Sequence, residues 1–259
     1  MNKKHGRIVH AIYCRTWLTV LRRPVVLTFS LVQPMMWMLF FGFLFHRYSV
    51  DEFKDQLSYL DFLVPGICAM TVLFGASQSG ISLIRDMQTQ FLNRIIFSPV
   101  SLQWILPGKI LADVSRLIIQ AMIVGIIGTF LGARLHFDVC SFLATLIAGG
   151  LFATAFCSLS CWIAVKTKPR KSMAVFIHIV NMPMLFTSTA FVPNKHMPSW
   201  LASIAQWNPL TQAIEVCRNA LLLGETTLTP LTLIYLALPA VLLFMLTSRA
   251  LRKARNHNV

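Results

Sequence analysis

Four stretches of this chain, Val25 to Phe45, Phe62 to Ile84, Val139 to Val165 and Ser172 to Val192, run without one Asp, Glu, Lys or Arg. A hydrocarbon core of about 30 Å takes roughly 20 helical residues, so each stretch is predicted to cross a bilayer as an α-helix. Two more stretches read as spans with a difference. Ile110 to Gly132 carries Asp113 and Arg116 in its first two turns, and Leu231 to Ser248 has 18 residues, near the lower bound for crossing. The expected fold is all-α: one transmembrane domain over residues 1–259, with six spans at about 25–45, 62–84, 110–132, 139–165, 172–192 and 231–248.

Ahead of the first span, residues 5–23 repeat at helical spacing. Val9, Ile12, Tyr13, Trp17 and Val20 share one face, and Arg7, Arg15 and Arg22 lie on another. Such a basic amphipathic helix is expected to lie along the membrane interface. Pro24 then suits the first turn of the helix that follows.

Two hydrophilic connections are longer than a tight turn, and long connections tend to carry function. Residues 85–100 place Met87, Phe91, Leu92, Ile95 and Ile96 at helical spacings and end in Ser98-Pro99, which reads as a short amphipathic helix or as a continuation of span two. Residues 193–224 are too apolar for an ordinary loop. Trp200 and Trp207 suit an interfacial belt, Asn208-Pro209 signals a turn, Glu215 and Arg218 can pair three residues apart, and Gly224 reads as a C-cap. Re-entrant helices would satisfy their own backbone there.

Composition supports the membrane reading: 56% of residues are hydrophobic and 12% charged, with a mean hydropathy of +0.66. A net charge of +14 would suit nucleic acid, but the cations sit at span ends rather than along a phosphate-tracking patch, so no nucleic acid is expected. Seventeen flanking Lys and Arg lie on one side and five on the other, which puts both termini in the cytoplasm. The six cysteines are scattered, and no His, Asp and Glu cluster has metal-ligand spacing. No catalytic constellation is found: Gly75-Ala76-Ser77-Gln78-Ser79 lacks the closing glycine of a nucleophile elbow. Gly108-Lys109 lacks the upstream glycine of a phosphate cradle. His178 and Asn181 share a face of span five ahead of Pro183 and could line a path or bond a neighbouring helix.

The order of elements resembles the type-2 ABC transporter permease family, the transmembrane subunit of ABC exporters. The matching stretches are Asp61 to Gly66, the segment from Arg85 to Val100, Pro107-Gly108-Lys109, and Phe191 to Gly224. The resemblance implies a coupling helix over 85–100, with Arg85, Asp86, Phe91, Leu92, Arg94, Ser98 and Pro99 as candidate ATPase-coupling residues. Where the family commonly has an acidic residue, a glycine and a Glu, this chain reads Gln88, Gln90 and Asn93. It further implies an interface helix marked by Arg7, Arg15, Trp17 and Arg22, and an external re-entrant gate marked by Trp200, Trp207, Asn208, Pro209, Glu215 and Arg218. The partners implied are an ABC ATPase subunit that holds ATP and Mg, a second copy of the permease, and lipids of a bacterial inner membrane. The substrate expected is an amphipathic, lipid-like, drug-like or glycan molecule moved out of the cytoplasm. A secondary transporter or channel without an ATPase is the alternative.

Overall fold

The computed structural model describes residues 2–22, 24–45, 49–50, 57–89, 104–136, 138–167, 170–225 and 228–256. They are almost wholly helical, the exception in regular structure being a two-residue antiparallel pair, Ser49–Val50 with Leu57–Ser58. The helices are α1 (Asn2–Leu21), α2 (Pro24–Leu44), α3 (Tyr59–Gln88), α4 (Ile105–Phe130), α5 (Val139–Thr167), α6 (Arg170–Phe186), α7 (Ser199–Gln206), α8 (Pro209–Arg218) and α9 (Pro230–Asn256). Among the described residues, α3, α4, α5 and α9 are long and apolar enough to cross a membrane. Helix α2 contributes a shorter apolar stretch, Ser30–Leu44, and α6 has 17 residues.

Helix α3 is the central pillar. Its most apolar stretch is 78% buried, against 39% for those of α4 and α5 and 17% for that of α9. It starts from a reciprocal cap: the Ser58 side chain accepts from Leu60 N, and the Asp61 carboxylate accepts from Ser58 N at 2.8 Å. The other Asp61 oxygen accepts from Arg134 N at 2.6 Å, so one buried carboxylate fixes both the entry to α3 and the turn after α4. Helices α2, α4, α5, α6 and α8 all pack on α3. Between apolar helices in lipid, close backbone approach and polar contacts hold the bundle rather than water exclusion. Gly66 allows the Ala190 backbone against α3, and Gly80 allows Ser160 of α5 to accept from Gly80 N at 3.0 Å.

Three boundaries depart from expectation. The fifth span, expected over 172–192, ends as a helix at Phe186. Its last carbonyls are taken by residues that follow: Asn208 Nδ2 donates to Met184 O at 2.7 Å, and Ser188 N closes back on Leu185 O. The helix of the expected sixth span, α9, runs 27 residues to Asn256 rather than stopping at Ser248, since Arg249, Arg252 and Lys253 continue it and suit the negative end of its dipole. The second span reaches Gln88 and is capped at Thr89, so Arg85 and Asp86 form the last turn of α3 rather than opening a separate helix. Phe91, Leu92, Arg94, Ser98 and Pro99 lie outside the described residues.

Candidate functional site

Helix α1 is bound to the bundle through specific contacts. Gly108 of α4 lets α1 approach until a Cβ there would lie 2.7 Å from Val9 O and 3.1 Å from Ile12 Cβ. Trp17 Nε1 donates to Ser115 Oγ at 3.1 Å. Arg15, placed by the sequence on the basic face with Arg7 and Arg22, turns inward and pairs with Asp86 at 2.9 Å. Arg7 and Arg22 stay exposed, so the cationic face is split. The Arg15–Asp86 pair ties α1 to the turn of α3 from which residues 90–103 depart.

Inward of this tie lies a buried polar core. Lys109 Nζ and Asp113 Oδ2 pair at 3.0 Å, one turn apart on α4, with side chains 4% and 5% exposed. Ser79 Oγ donates to Asp113, and Lys109 donates to Ser82. Arg116, three residues beyond Asp113, donates through Nη2 to Gly75 O at 3.4 Å, and its buried Nε has no protein acceptor. Ser160 Oγ donates to Ser77 O, and Ser77 Oγ donates to Asn181 Oδ1 at 2.9 Å. Asn181 thus joins α6 to α3, fully buried, while the side chain of His178 lies outside the described residues. Sequence reading counted Lys109 as a flanking cation, although its spacing of four from Asp113 was the available signal.

A cavity of about 450 Å³ lies among α1, α2, α3 and α4. Its charged lining is Arg15, Arg85, Lys109 and Arg116 with Asp86 and Asp113. Leu27, Pro34, Met70 and Phe74 supply apolar lining.

At the far end of α3 the segment 193–224 is latched by Arg218, which is 2% exposed. Arg218 Nη1 pairs with Glu215 at 3.0 Å, Nη2 donates to Thr189 O at 2.9 Å, and the guanidinium lies 3.7 Å from the Phe62 ring centroid. Glu215 also accepts from Thr189 Oγ1 at 2.7 Å. Asn208 caps α8 through Leu210 N, with Pro209 in its first turn. A π-helical turn, Asn219–Leu223, ends at Gly224 with φ 67°, the left-handed conformation that favours glycine. Trp200 and Trp207 are 65% and 77% exposed, and Tyr235 donates to Trp207 O. The structure therefore divides the predicted gate set: Asn208, Glu215 and Arg218 anchor it, and the two tryptophans face outward.

Among the described residues, no group of His, Cys, Asp and Glu is placed to hold a metal ion. The Gly108-Lys109 pair lies inside α4, both residues buried.

The family profile described as ABC-2 type transporter matches residues 8–222. The chain is 34% identical over 212 residues to a protein named as transport permease ycf38 from Pyropia yezoensis, covering 81% of this chain and 72% of that one. It is 27% identical over 200 residues to the daunorubicin resistance ABC transporter permease protein DrrB1 of Streptomyces coeruleorubidus, covering 76% and 68%. With most of its length matched by that profile, the chain belongs to the ABC-2 type transporter permease family.

Proposed function

We propose that this chain is the membrane-spanning subunit of an ATP-driven exporter. An ABC ATPase subunit on the cytoplasmic side holds ATP and Mg, and two copies of the chain enclose the pathway. Both termini and residues 85–109 and 166–171 face the cytoplasm of a bacterial inner membrane, as the distribution of flanking cations requires. The observation that carries the reading, beyond family membership, is the Arg15–Asp86 tie. It joins the N-terminal helix to the pillar helix at the point where the coupling segment leaves, which is where a push from an ATPase would enter the bundle. The substrate is an amphipathic or drug-like molecule, the class that the name of the Streptomyces relative suggests. The polar groups inside the bundle are largely engaged with one another, which suits an amphiphile better than a stream of small ions.

The test is purification of the tagged chain from its native membrane with whatever ATPase subunit accompanies it, followed by reconstitution in liposomes. A complex with two copies of each subunit and ATP-dependent movement of an amphipathic dye is the expected result. A monomer that moves solute without ATP would overturn the reading and leave a secondary transporter.

A further inference from the structure

We infer that the C-terminal turns of α9 hold the phosphate of an anionic phospholipid in the headgroup layer, through Arg249 and Lys253. Helix α9 has one packed face and one open face. Leu236, Ala240, Thr247 and Leu251 are buried, and Thr247 Oγ1 donates to Ser158 O of α5 at 2.8 Å. The opposite face carries Ile234, Leu238, Leu242 and Met245, each half exposed or more. On a helix that crosses a membrane, such a stripe faces acyl chains. Arg249, Arg252 and Lys253 follow on the same face at spacings of three and four, all exposed. The stripe thus turns from apolar to cationic without leaving the lipid-facing side.

Position along the axis agrees with that reading. At the helical rise per residue, Arg249 lies about 28 Å and Lys253 about 35 Å from the start of α9 at Pro230. A hydrocarbon core is about 30 Å thick, so the two cations stand where acyl chain gives way to headgroup. Their charge sets the sign of the ligand. One turn apart, their Cβ atoms are about 6 Å from each other, and like charges at that spacing repel. A phosphate diester between them accepts from both and replaces the repulsion with charge-assisted hydrogen bonds. The carboxylates described at this end of the bundle, Asp86 and Asp113, already accept from Arg15 and Lys109. Lys166, exposed at the end of α5 on which α9 packs, adds a further cation. The occupant is a net-anionic lipid rather than a zwitterionic one, whose own ammonium group offsets the attraction. A soluble anion is screened at so exposed a place, whereas a lipid is held at the headgroup plane by its chains. The inference rests on α9 crossing the membrane and not on the direction or energy source of transport.

The experiment is competitive lipid retention by the purified full-length chain. Protein in mild detergent is loaded with an equal mixture of phosphatidylglycerol and phosphatidylcholine, and bound lipid is counted by native mass spectrometry. The wild type should hold phosphatidylglycerol preferentially. Arg249→Gln with Lys253→Gln should cut that preference at least roughly fivefold, the contribution of a single cation at an anionic surface. The exchange Arg249→Lys with Lys253→Arg should keep it, and so should Arg134→Gln, which removes an exposed cation at the other end of the bundle. Arg249→Gln alone should give part of the loss and keeps the test open if the double variant does not fold. Equal retention of the two lipids by the wild type, an unchanged preference in the Gln variants, or an equal loss in Arg134→Gln would overturn the site. Loss of a co-purifying protein from the Gln variants with phosphatidylglycerol still preferred would assign the patch to a protein partner and overturn the lipid.

Discussion

Arg15 reaches across from α1 to Asp86 in the last turn of α3, a guanidinium-carboxylate contact of 2.9 Å between residues far apart in sequence. Both side chains are partly exposed, at 33% and 22%, so the pair contributes at most about 1 kcal/mol to stability. Its value is positional. Asp86→Asn is expected to leave expression and melting temperature nearly unchanged while lowering transport per ATP hydrolysed. The exchange Arg15→Asp with Asp86→Arg should restore coupling, and unchanged coupling in both single variants would make the pair incidental.

Arg218 should behave in the opposite way. It is buried, serves two backbone carbonyls and lies over Phe62, whereas its partner Glu215 has a side chain 41% exposed. Arg218→Met removes the donor to Thr189 O and Phe62 O and the guanidinium over the Phe62 ring, a loss of about 1–3 kcal/mol. Glu215→Gln keeps an acceptor and should cost under about 1 kcal/mol. Thermal unfolding in detergent separates the two, and equal losses would mean that the latch is not built around the arginine.

Most of this fold was legible because lipid imposes it. Apolar runs of 20 residues or more between charged flanks leave helices as the economical solution, and the starts of α2 and α8 were marked by Pro24 and Asn208-Pro209. The ends were harder to read. Phe186 ends α6 because Asn208, 22 positions later, takes the carbonyl of Met184, and no local signal encodes that bond. The polar core was legible only in pieces: Lys109 and Asp113 share a helix, but Ser79, Ser82 and Ser77 look like ordinary small residues until α3 is packed.

Glycines in the bundle differ in what they permit. A Cβ at Gly66 would strike the Ala190 backbone, which cannot rotate aside, so Gly66→Ala should destabilise by about 1–3 kcal/mol. Gly149 on α5 has nothing within 4 Å. Gly149→Ala should be neutral or gain about 0.5–1 kcal/mol from the helix backbone alone. Equal melting temperatures for the two variants would contradict the close approach at Gly66.

The external segment predicts a periodic labelling pattern. Ser203 and Ile204 are exposed on α7, whereas Ala205, Leu210 and Ile214 are buried. In a background lacking native cysteines, a water-soluble thiol reagent should modify Ser203→Cys rapidly and Ala205→Cys or Ile214→Cys slowly. Uniform labelling would mean an open loop rather than packed helices.

The Lys109–Asp113 pair separates the two classes of transporter. An ionisable pair inside a spanning helix is the element that an ion-coupled carrier would use, yet here each charge is neutralised by the other one turn away. If the pair only secures the packing of α4 on α3, removing one partner is the damaging change. Asp113→Asn should cost about 3–5 kcal/mol by leaving Lys109 uncompensated, and the joint replacement Lys109→Met with Asp113→Leu should recover much of that loss. Transport by the joint variant should remain dependent on ATP and keep much of its rate. Loss of all transport in a stable joint variant, with ATP hydrolysis by the partner intact, would show that the charges themselves carry the translocation step and would favour ion coupling over ATP-driven export.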